Sequence, residues 1–196
     1  MGSQQLGLLG GAFDPPHLAH VELARSAISQ LGLSRLLVVP TGQPWHRSFQ
    51  PSPAVHRLAM CRLAFADMPL VEVDDRETRR SGPTYTIDTV RELQAEHPQA
   101  EWHLIIGADQ ARRFEHWREY EKLLCLVHLV VADREPEAGQ WQNTTLRQAS
   151  RLTFKPMDIS ATAIRSSVAL GVQVHGLQPQ VHDYVVRHQL YRAPSP

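Results

Sequence analysis

The chain lacks an excess of charge of either sign. Among its 196 residues, 20 lysines and arginines are balanced by 20 aspartates and glutamates. Proteins that bind duplex nucleic acid or an anionic membrane through a broad electrostatic field need an excess of positive charge. The balance therefore predicts no nucleic-acid partner and no membrane partner, and any anion must be bound by groups that are placed locally.

Cysteine and long apolar runs are also scarce. The two cysteines, Cys61 and Cys125, lie in segments that are predicted to be buried. They have no metal-binding or redox spacing, which favours a reducing compartment over a disulfide scaffold. No apolar run is long enough to span a bilayer, and the first residues show no pattern for export or lipidation. We therefore expect a cytoplasmic protein with reduced core thiols.

Apolar segments that are typical of strands alternate with segments of helical periodicity. The predicted strands cover residues 6–9, 35–39, 70–73, 102–106 and 127–132. The predicted helices cover residues 17–31, 53–66, 86–96, 141–149, 161–170 and 179–189. This alternation predicts an α/β fold with a Rossmann-like parallel sheet and helices on both faces. An apolar content of 42% predicts a single domain over residues 1–196, and a homo-oligomer is left open.

Two well-known phosphate-binding loops are missing from the chain. It contains no Gly-Lys-Ser/Thr of a P-loop, and Gly7-Leu-Leu-Gly10-Gly11 does not match the dinucleotide fingerprint. Residues 10–20 nevertheless form a glycine turn between an apolar strand and a helical pattern, with the sequence Gly-Gly-Ala-Phe-Asp-Pro-Pro-His-Leu-Ala-His. The glycines allow the backbone to turn tightly at the strand end.

His17 and His20 are predicted to share one face near the N-terminus of this helix. Backbone N–H groups without intrahelical partners favour an anion there, and imidazoles add donors without the full charge of lysine. A polyphosphate fits this combination, which indicates nucleotidyl transfer. Two alternatives are an ordinary strand-to-helix turn with surface histidines and a zinc pair, although no further ligands stand at recognisable metal spacing.

Residues 159–167, with the sequence Ile-Ser-Ala-Thr-Ala-Ile-Arg-Ser-Ser, predict a second helix start. Ser160 is a candidate N-cap, and the hydroxyls of Ser160 and Thr162 with the Arg165 guanidinium form a candidate second phosphate clamp. Alone, this segment would be interpreted as a plain helix cap. Together with the histidine motif, it favours a polyphosphate held between two clamps.

The two motifs together resemble the signatures of the adenylyltransferase superfamily. Residues 10–20 are similar to Gly-Gly-Thr-Phe-Asp-Pro-x-His-x-Gly-His, and residues 159–165 are similar to Ile-Ser-Ser-Thr-x-Ile-Arg. Ala12 and Ala161 stand where the superfamily has hydroxyl residues, and Ala19 replaces a glycine, which improves helix propensity. The resemblance implies a nucleotidyltransferase fold that ends in C-terminal helices.

The middle of the chain resembles one branch of that superfamily, the bacterial nicotinate mononucleotide adenylyltransferases. Residues 82–89 are similar to the signature Gly-Pro-Ser-Tyr-Thr-Ile-Asp-Thr, with threonine for serine. The segment Pro40–Arg47 resembles a proline-rich loop of that family, with Arg47 in place of a common lysine. Gly107–Asp109 and the Phe-x-x-Trp pair at 114–117 match two further patterns. Since several of these segments follow predicted parallel strands, we expect them at one edge of the sheet.

The resemblance implies a role for each matching residue. It implies ATP binding by Gly10, Gly11, Phe13, His17, His20, Gly107, Asp109, Arg134, Ser160, Thr162 and Arg165. It implies mononucleotide binding by His46, Arg47, Tyr85, Thr86, Asp109, Trp117 and Tyr120. The implied catalytic residues are His17, His20 and Arg165. No metal ligand is expected from the protein, because Mg²⁺ would be bound mainly through the ATP phosphates.

The implied contacts of the mononucleotide are chemically sensible. Asp109 would accept from a ribose hydroxyl, and Trp117 would stack on the electron-poor pyridine ring. Backbone N–H groups near Thr86 and Tyr120 would donate to the nicotinate carboxylate and oppose the amide of a nicotinamide.

The implied reaction joins ATP and nicotinate mononucleotide to give deamido-NAD and pyrophosphate by in-line displacement. Three alternatives are kept. A phosphopantetheine adenylyltransferase shares both terminal motifs but is expected to lack residues like 82–89 and 114–117. A nicotinamide mononucleotide adenylyltransferase would share nearly all of the motifs. A regulator that binds the nucleotide without turnover would release no pyrophosphate.

Overall fold

The computed structural model describes residues 3–44, 51–133, 145–155 and 157–192. The strands in these ranges are β1 (Gln4–Gly11), β2 (Arg35–Pro40), β3 (Gln43–Pro44), β4 (Val71–Val73), β5 (Pro83–Thr84), β6 (Ala100–Gly107), β7 (His128–Asp133) and β8 (Ser150–Thr153). Six of them form one sheet in the order β4-β2-β1-β6-β7-β8, and all of its neighbouring pairs are parallel. The short strands β3 and β5 pair separately.

Most of the helices lie between strands in sequence, and the last two follow the final strand. The helices are α1 (Leu18–Leu31), α2 (Ala54–Ala64), α3 (Arg76–Arg79), α4 (Thr86–Glu96), α5 (Ala108–Ala111), α6 (Tyr120–Leu126), α7 (Ala161–Ala169) and α8 (Pro179–Arg187), with a 3₁₀ turn at Phe114–His116. Helix α1 ends where Gly32 adopts a left-handed conformation with φ of 61° and donates its N–H to the Ile28 carbonyl. Glycine suits this position because it has no Cβ to clash.

Two apolar cores cover the two faces of the sheet. Side chains alternate along each strand, so that Leu36 and Val38 of β2 lie in a first core while Leu37 and Val39 lie in a second. Helices α1, α2 and α8 contribute to the first core, and α4 and α6 contribute to the second. The predicted parallel sheet with helices on both faces is therefore confirmed.

The strand order creates a crevice at the centre of the sheet. From β1 the chain moves outward through β2 to β4, and it then returns to β6 on the other side of β1. The carboxyl ends of β1 and β6 are neighbours, with Leu9 opposite Ile105 in register. Connections that leave two adjacent strands in opposite directions open a gap between them, and ligands of such sheets bind there.

The structure corrects two predictions and adds elements that the sequence did not indicate. The predicted helix at 141–149 is wrong in its described part, because residues 145–148 form turns and β8 begins at Ser150. The spacing of apolar residues in this segment resembles that of a helix, but Leu146 is buried in the second core from a turn. Cys125 is exposed and not in the core, whereas Cys61 is buried as expected. Strand β8, helix α6, the 3₁₀ turn and the short elements β3, β5, α3 and α5 were not predicted.

Candidate active site

A cleft of about 740 Å³ lies at the carboxyl ends of β1, β6 and β7. Sequence motifs from both ends of the chain contribute to its walls. The expected site residues that line it are Gly10, Gly11, His17, His20, Tyr85, Thr86, Gly107, Asp109, Trp117 and Ser160. These strand ends therefore lie around one cleft, and their role in binding a ligand stays a prediction.

Glycines at the ends of the two central strands keep the cleft open. A Cβ atom built on Gly10 or on Gly107 would meet nothing within 4 Å. At Gly11, a Cβ atom would approach the Phe13 ring to 3.1 Å. The first two positions therefore present bare backbone to the cleft, where a nucleotide can approach closely.

The two histidines form one stacked pair at the start of α1. His17 is the N-cap residue, and its backbone N–H donates to His20 Nδ1 at 3.2 Å. Their rings stack with centroids 3.8 Å apart. Because Nδ1 of His20 accepts from the backbone, a neutral His20 carries its proton on Nε2 and can donate it.

Phe13 packs against the His20 ring of this pair. It was expected to bind ATP, but its side chain is buried in the first core and does not line the cleft. Its ring meets His20 edge-on at 5.0 Å and Phe65 at 6.4 Å. Phe13 therefore limits where the His20 ring can lie.

The C-terminal motif meets the histidine motif directly. Arg165 donates to the Asp14 carbonyl oxygen at 2.8 Å and to Thr162 Oγ1 at 3.2 Å. Ser160 is the N-cap of α7, and its hydroxyl accepts from the Ala163 N–H at 3.1 Å, as predicted. Arg165 and Thr162 stand beside the cleft and do not line it. Segments that are 151 residues apart in sequence thus come together.

Aromatic side chains form the opposite end of the cleft. Tyr85 is the N-cap residue of α4, and the Arg118 guanidinium lies 4.6 Å from the centre of its ring. Trp117 lines the cleft and packs against Phe114 with centroids 5.1 Å apart. Tyr120 packs edge-on against Phe114 but does not line the cleft. This end offers flat apolar surfaces beside a helix N-terminus.

Asp109 stands at the mouth of the cleft. Its side chain is 93% exposed and forms an ion pair with Arg112 at 2.9 Å. It is the second residue of α5, two residues after β6 ends. A carboxylate in this position can accept hydroxyl groups from a ligand.

Glu77 is a cleft residue that sequence reasoning missed. It is 8% exposed, and Oε1 accepts from the Thr89 hydroxyl at 2.7 Å. The Thr84 hydroxyl and the Gly42 N–H also bond to its carboxyl group. Burial raises the pKa of Glu77 in spite of these donors and the nearby Arg80. The only signal in the sequence is one acidic residue before a Gly-Pro turn.

Gly42 lies close enough to Glu77 to require glycine. A Cβ atom there would collide with the Glu77 carbonyl oxygen and lie 2.8 Å from Thr84 Cγ2. Strand β3 follows Gly42 and strand β5 contains Thr84, and the two strands pair beside this contact. Glu77 therefore joins the segment after β2 to the start of α4.

Two further buried charges were not assigned a role from the sequence. Asp133 ends β7, lines the cleft and forms an ion pair with Arg151 at 3.5 Å. Arg57, in α2, is 2% exposed and bonds to the Ala12 carbonyl oxygen at 2.9 Å. A buried arginine on a main-chain carbonyl indicates a role in fixing the turn before His17.

Three predicted ligand residues, His46, Arg47 and Arg134, lie outside the described residues.

In the part of the chain that the structure describes, no three His, Cys, Asp or Glu side chains are arranged to hold a metal ion. Within the same ranges, no helix combines the length and the apolar character needed to cross a membrane.

Comparisons with known proteins agree with this arrangement. Residues 8–167 match the cytidylyltransferase-like family model. Among solved structures, a Plasmodium falciparum nicotinic acid mononucleotide adenylyltransferase complexed with NaAD is similar with a TM-score of 0.77 at 20% identity, covering 96% of this chain and 97% of that one. This likeness concerns the fold.

Sequence relatives are much more similar. A protein of Albidiferax ferrireducens named "probable nicotinate-nucleotide adenylyltransferase" is 42% identical over 196 residues, which are 96% of this chain and 98% of the relative. A Bordetella petrii protein of the same name is 42% identical over 197 residues, covering 96% of this chain and 100% of the relative. The chain therefore belongs to the nicotinate-nucleotide adenylyltransferase family, within the cytidylyltransferase-like proteins.

Proposed function

We propose that this chain transfers the adenylyl group of ATP to nicotinate mononucleotide, giving nicotinate adenine dinucleotide and pyrophosphate. The observation that carries the proposal is the direct contact between the two phosphate motifs, through Arg165 and Asp14, beside a cleft that His17 and His20 line. Family membership supports the same substrates, since the relatives carry the name of this activity.

The reaction requires placement and charge stabilisation, and no covalent intermediate. A phosphate oxygen of nicotinate mononucleotide attacks the α-phosphorus of ATP and forms the new P–O bond. The bond from that phosphorus to the oxygen that bridges the α- and β-phosphates breaks, and pyrophosphate leaves with the electron pair. Because the attacking phosphate is already an anion, no general base is needed, and catalysis comes from orientation and preorganised donors.

The chain's own groups supply those donors. His17 and His20 donate to the α- and β-phosphates as charge shifts toward the leaving group, and the stacked ring pair keeps both imidazoles in place. Arg165, oriented by Asp14 and Thr162, binds the leaving pyrophosphate with Ser160 at the N-terminus of α7. Unpaired N–H groups at helix N-termini add partial positive charge.

Mg²⁺ is part of this proposal and is held mainly through phosphate oxygens of ATP. When bound, Mg²⁺ neutralises charge on the triphosphate and on the departing pyrophosphate.

We also propose a cytoplasmic location, where ATP and the mononucleotide would meet the enzyme.

The aromatic end of the cleft receives the mononucleotide. Trp117 stacks on the pyridinium ring, whose positive charge is attracted by an aromatic face. Backbone N–H groups at the start of α4, near Tyr85 and Thr86, donate to the nicotinate carboxylate, since the first N–H groups of a helix lack intrahelical acceptors. A backbone N–H near Tyr120, at the start of α6, is the second donor of the proposal, and the Tyr120 N–H itself donates to the Trp117 carbonyl oxygen at 3.2 Å. An amide NH₂ in the same place would oppose these donors.

A parallel assay of acceptors tests the proposal. Mg-ATP is supplied with nicotinate mononucleotide, nicotinamide mononucleotide or phosphopantetheine at concentrations below saturation, and dinucleotide and pyrophosphate are both measured. We expect the highest kcat/KM with nicotinate mononucleotide. A preference for another acceptor would contradict the roles given to the aromatic end. ATP binding without product from any acceptor would contradict adenylyl transfer itself.

A further inference from the structure

The turn at residues 12–15, which follows β1, is anchored by side chains from distant parts of the chain. Arg57 in α2 donates to the Ala12 carbonyl oxygen at 2.9 Å, and Arg165 in α7 donates to the Asp14 carbonyl oxygen at 2.8 Å. The Asp14 residue itself is 2% exposed. The main chain of the turn is therefore fixed from outside the turn.

Both side-chain oxygens of Asp14 are engaged. Oδ2 accepts from the Ser52 N–H at 3.0 Å, and Oδ1 accepts from the Tyr191 hydroxyl at 2.6 Å. Arg57 Nε donates to the Ser52 carbonyl oxygen at 2.8 Å, so Ser52 joins the buried arginine to the buried carboxylate. Buried charged groups are stable only when they are hydrogen-bonded in this way.

Tyr191 reaches the turn from beyond α8. Its φ of 63° lies in the left-handed region, which is unfavourable for a bulky residue and persists only where surrounding contacts hold it. Its hydroxyl also lies 3.9 Å from Met60 Sδ in α2. Burial and the bond to Asp14 raise the Tyr191 pKa above its ordinary value, so the hydroxyl keeps its proton and donates.

We propose that Tyr191 is a positioning residue for adenylyl transfer. Through Asp14, its hydroxyl fixes the turn that leads into His17 and to which Arg165 is bound, without touching a substrate. Removal of the hydroxyl leaves a buried carboxylate oxygen without this donor, and the turn must shift to satisfy it. A shift of about 1 Å in groups that orient the reacting phosphates lowers turnover by up to about 10²-fold. The inference rests on the proposed function.

The test compares Tyr191→Phe with a matched control, Tyr184→Phe. The Tyr184 hydroxyl lies 3.0 Å from His56 Nδ1, between α8 and α2, and not at the turn at 12–15. Both changes remove one hydroxyl from a partly buried tyrosine near the same helix pair. For Tyr191→Phe we expect kcat to fall by about 10- to 100-fold, with the KM for nicotinate mononucleotide within about twofold of the wild type. Tyr184→Phe should keep the wild-type kcat.

A double-mutant cycle with Asp14→Ala tests whether the effect passes through Asp14. Once the acceptor is gone, Tyr191→Phe should change kcat by less than about twofold further. Thermal unfolding of each variant shows that assays are made on folded protein. Full additivity of the two changes would contradict a route through Asp14.

The outcomes separate this inference from the proposed function. A Tyr191→Phe kcat within about twofold of the wild type, or equal kcat losses in both tyrosine variants, would overturn the positioning role. A wild-type chain that forms no dinucleotide from any acceptor would count against the proposed function instead. In that event, affinity for a non-hydrolysable ATP analogue is compared, and equal affinity in wild type and Tyr191→Phe would overturn the inference independently.

Discussion

The two ends of the cleft are held in place in different ways. At the end that contains His17 and His20, which we call the phosphate end after its proposed role, hydrogen bonds that cross 45, 151 and 177 residues of sequence tie the turn at 12–15 to α2, α7 and Tyr191. At the aromatic end, the Glu77 carboxylate and its Thr89 partner are 12 residues apart. The phosphate end is therefore held by contacts that cross most of the chain, whereas the contacts at the aromatic end, such as Arg118 with Tyr85, span shorter separations in sequence.

In the proposed function, the phosphate end carries out the reaction and the aromatic end selects the mononucleotide. Adenylyl transfer requires the reacting phosphates to be held in line, and the long-range hydrogen bonds fix the turn that leads to His17. In the proposed function, α4, the segment before it and Trp117 recognise the mononucleotide, and a change there can alter a contact without disturbing the turn at 12–15. We therefore expect variants at the phosphate end to lower kcat and variants at the aromatic end to raise KM.

The largest effect is expected for His20→Ala. The loss of one preorganised donor to the reacting phosphates should lower kcat by about 10²-fold or more. Steady-state assays with saturating ATP and nicotinate mononucleotide measure it, with His182→Ala, on α8, as the control that should keep wild-type turnover. If turnover of His20→Ala stays within about threefold of the wild type, His20 does not stabilise the transition state.

Trp117→Ala should act on binding. Stacking of an aromatic ring on a base is worth about 1–3 kcal/mol, so the KM for nicotinate mononucleotide should rise by roughly 5- to 150-fold. The kcat should change little, because the stacked ring is the same in ground and transition states. Trp117→Phe keeps an aromatic face and should recover most of the loss. A fall in kcat with unchanged KM would remove the distinction between the two ends.

Glu77→Gln should raise the KM for nicotinate mononucleotide more modestly, by several-fold. An amide presents one NH₂ where the carboxylate accepts, so it cannot serve all of the donors at Thr84, Thr89 and Gly42. Glu92→Gln is a matched control, since Glu92 pairs with Arg80 at 2.6 Å in the same charged network but outside the cleft. Equal KM values in both variants would show that Glu77 does not organise the mononucleotide end.

The sequence predicted the architecture and much of the site for identifiable reasons. Strand periodicity indicated the sheet, and the histidine and serine-arginine motifs each sit at a helix start with a regular cap, as at Ser160. The burial of the Phe13 side chain was not expected, because a motif does not reveal which side chain points into the core. The sequence did not indicate the contacts of Glu77, Arg57 and Tyr191. Their partners are far away in sequence, or the side chains matter because they are buried, and neither property leaves a local sequence pattern.

The pH dependence of stability provides the smallest expected effect and tests how Glu77 is held. Its pKa is raised above 4.5 in the folded protein, so the folded state binds more protons than the unfolded state between these two values. Stability contributed by the protonated carboxyl is fully present below pH 4.5 and is lost as pH rises through the folded pKa. Glu77→Gln stays neutral and has no such loss. The measured quantity is the free energy of unfolding of the wild type minus that of Glu77→Gln, from urea titrations at two pH values. This difference should be larger near pH 4.5 than near neutral pH. A gap that stays constant or widens as pH rises would mean that the hydrogen bonds from Thr89, Thr84 and Gly42 outweigh burial, and that this end of the cleft is held by an ionised carboxylate.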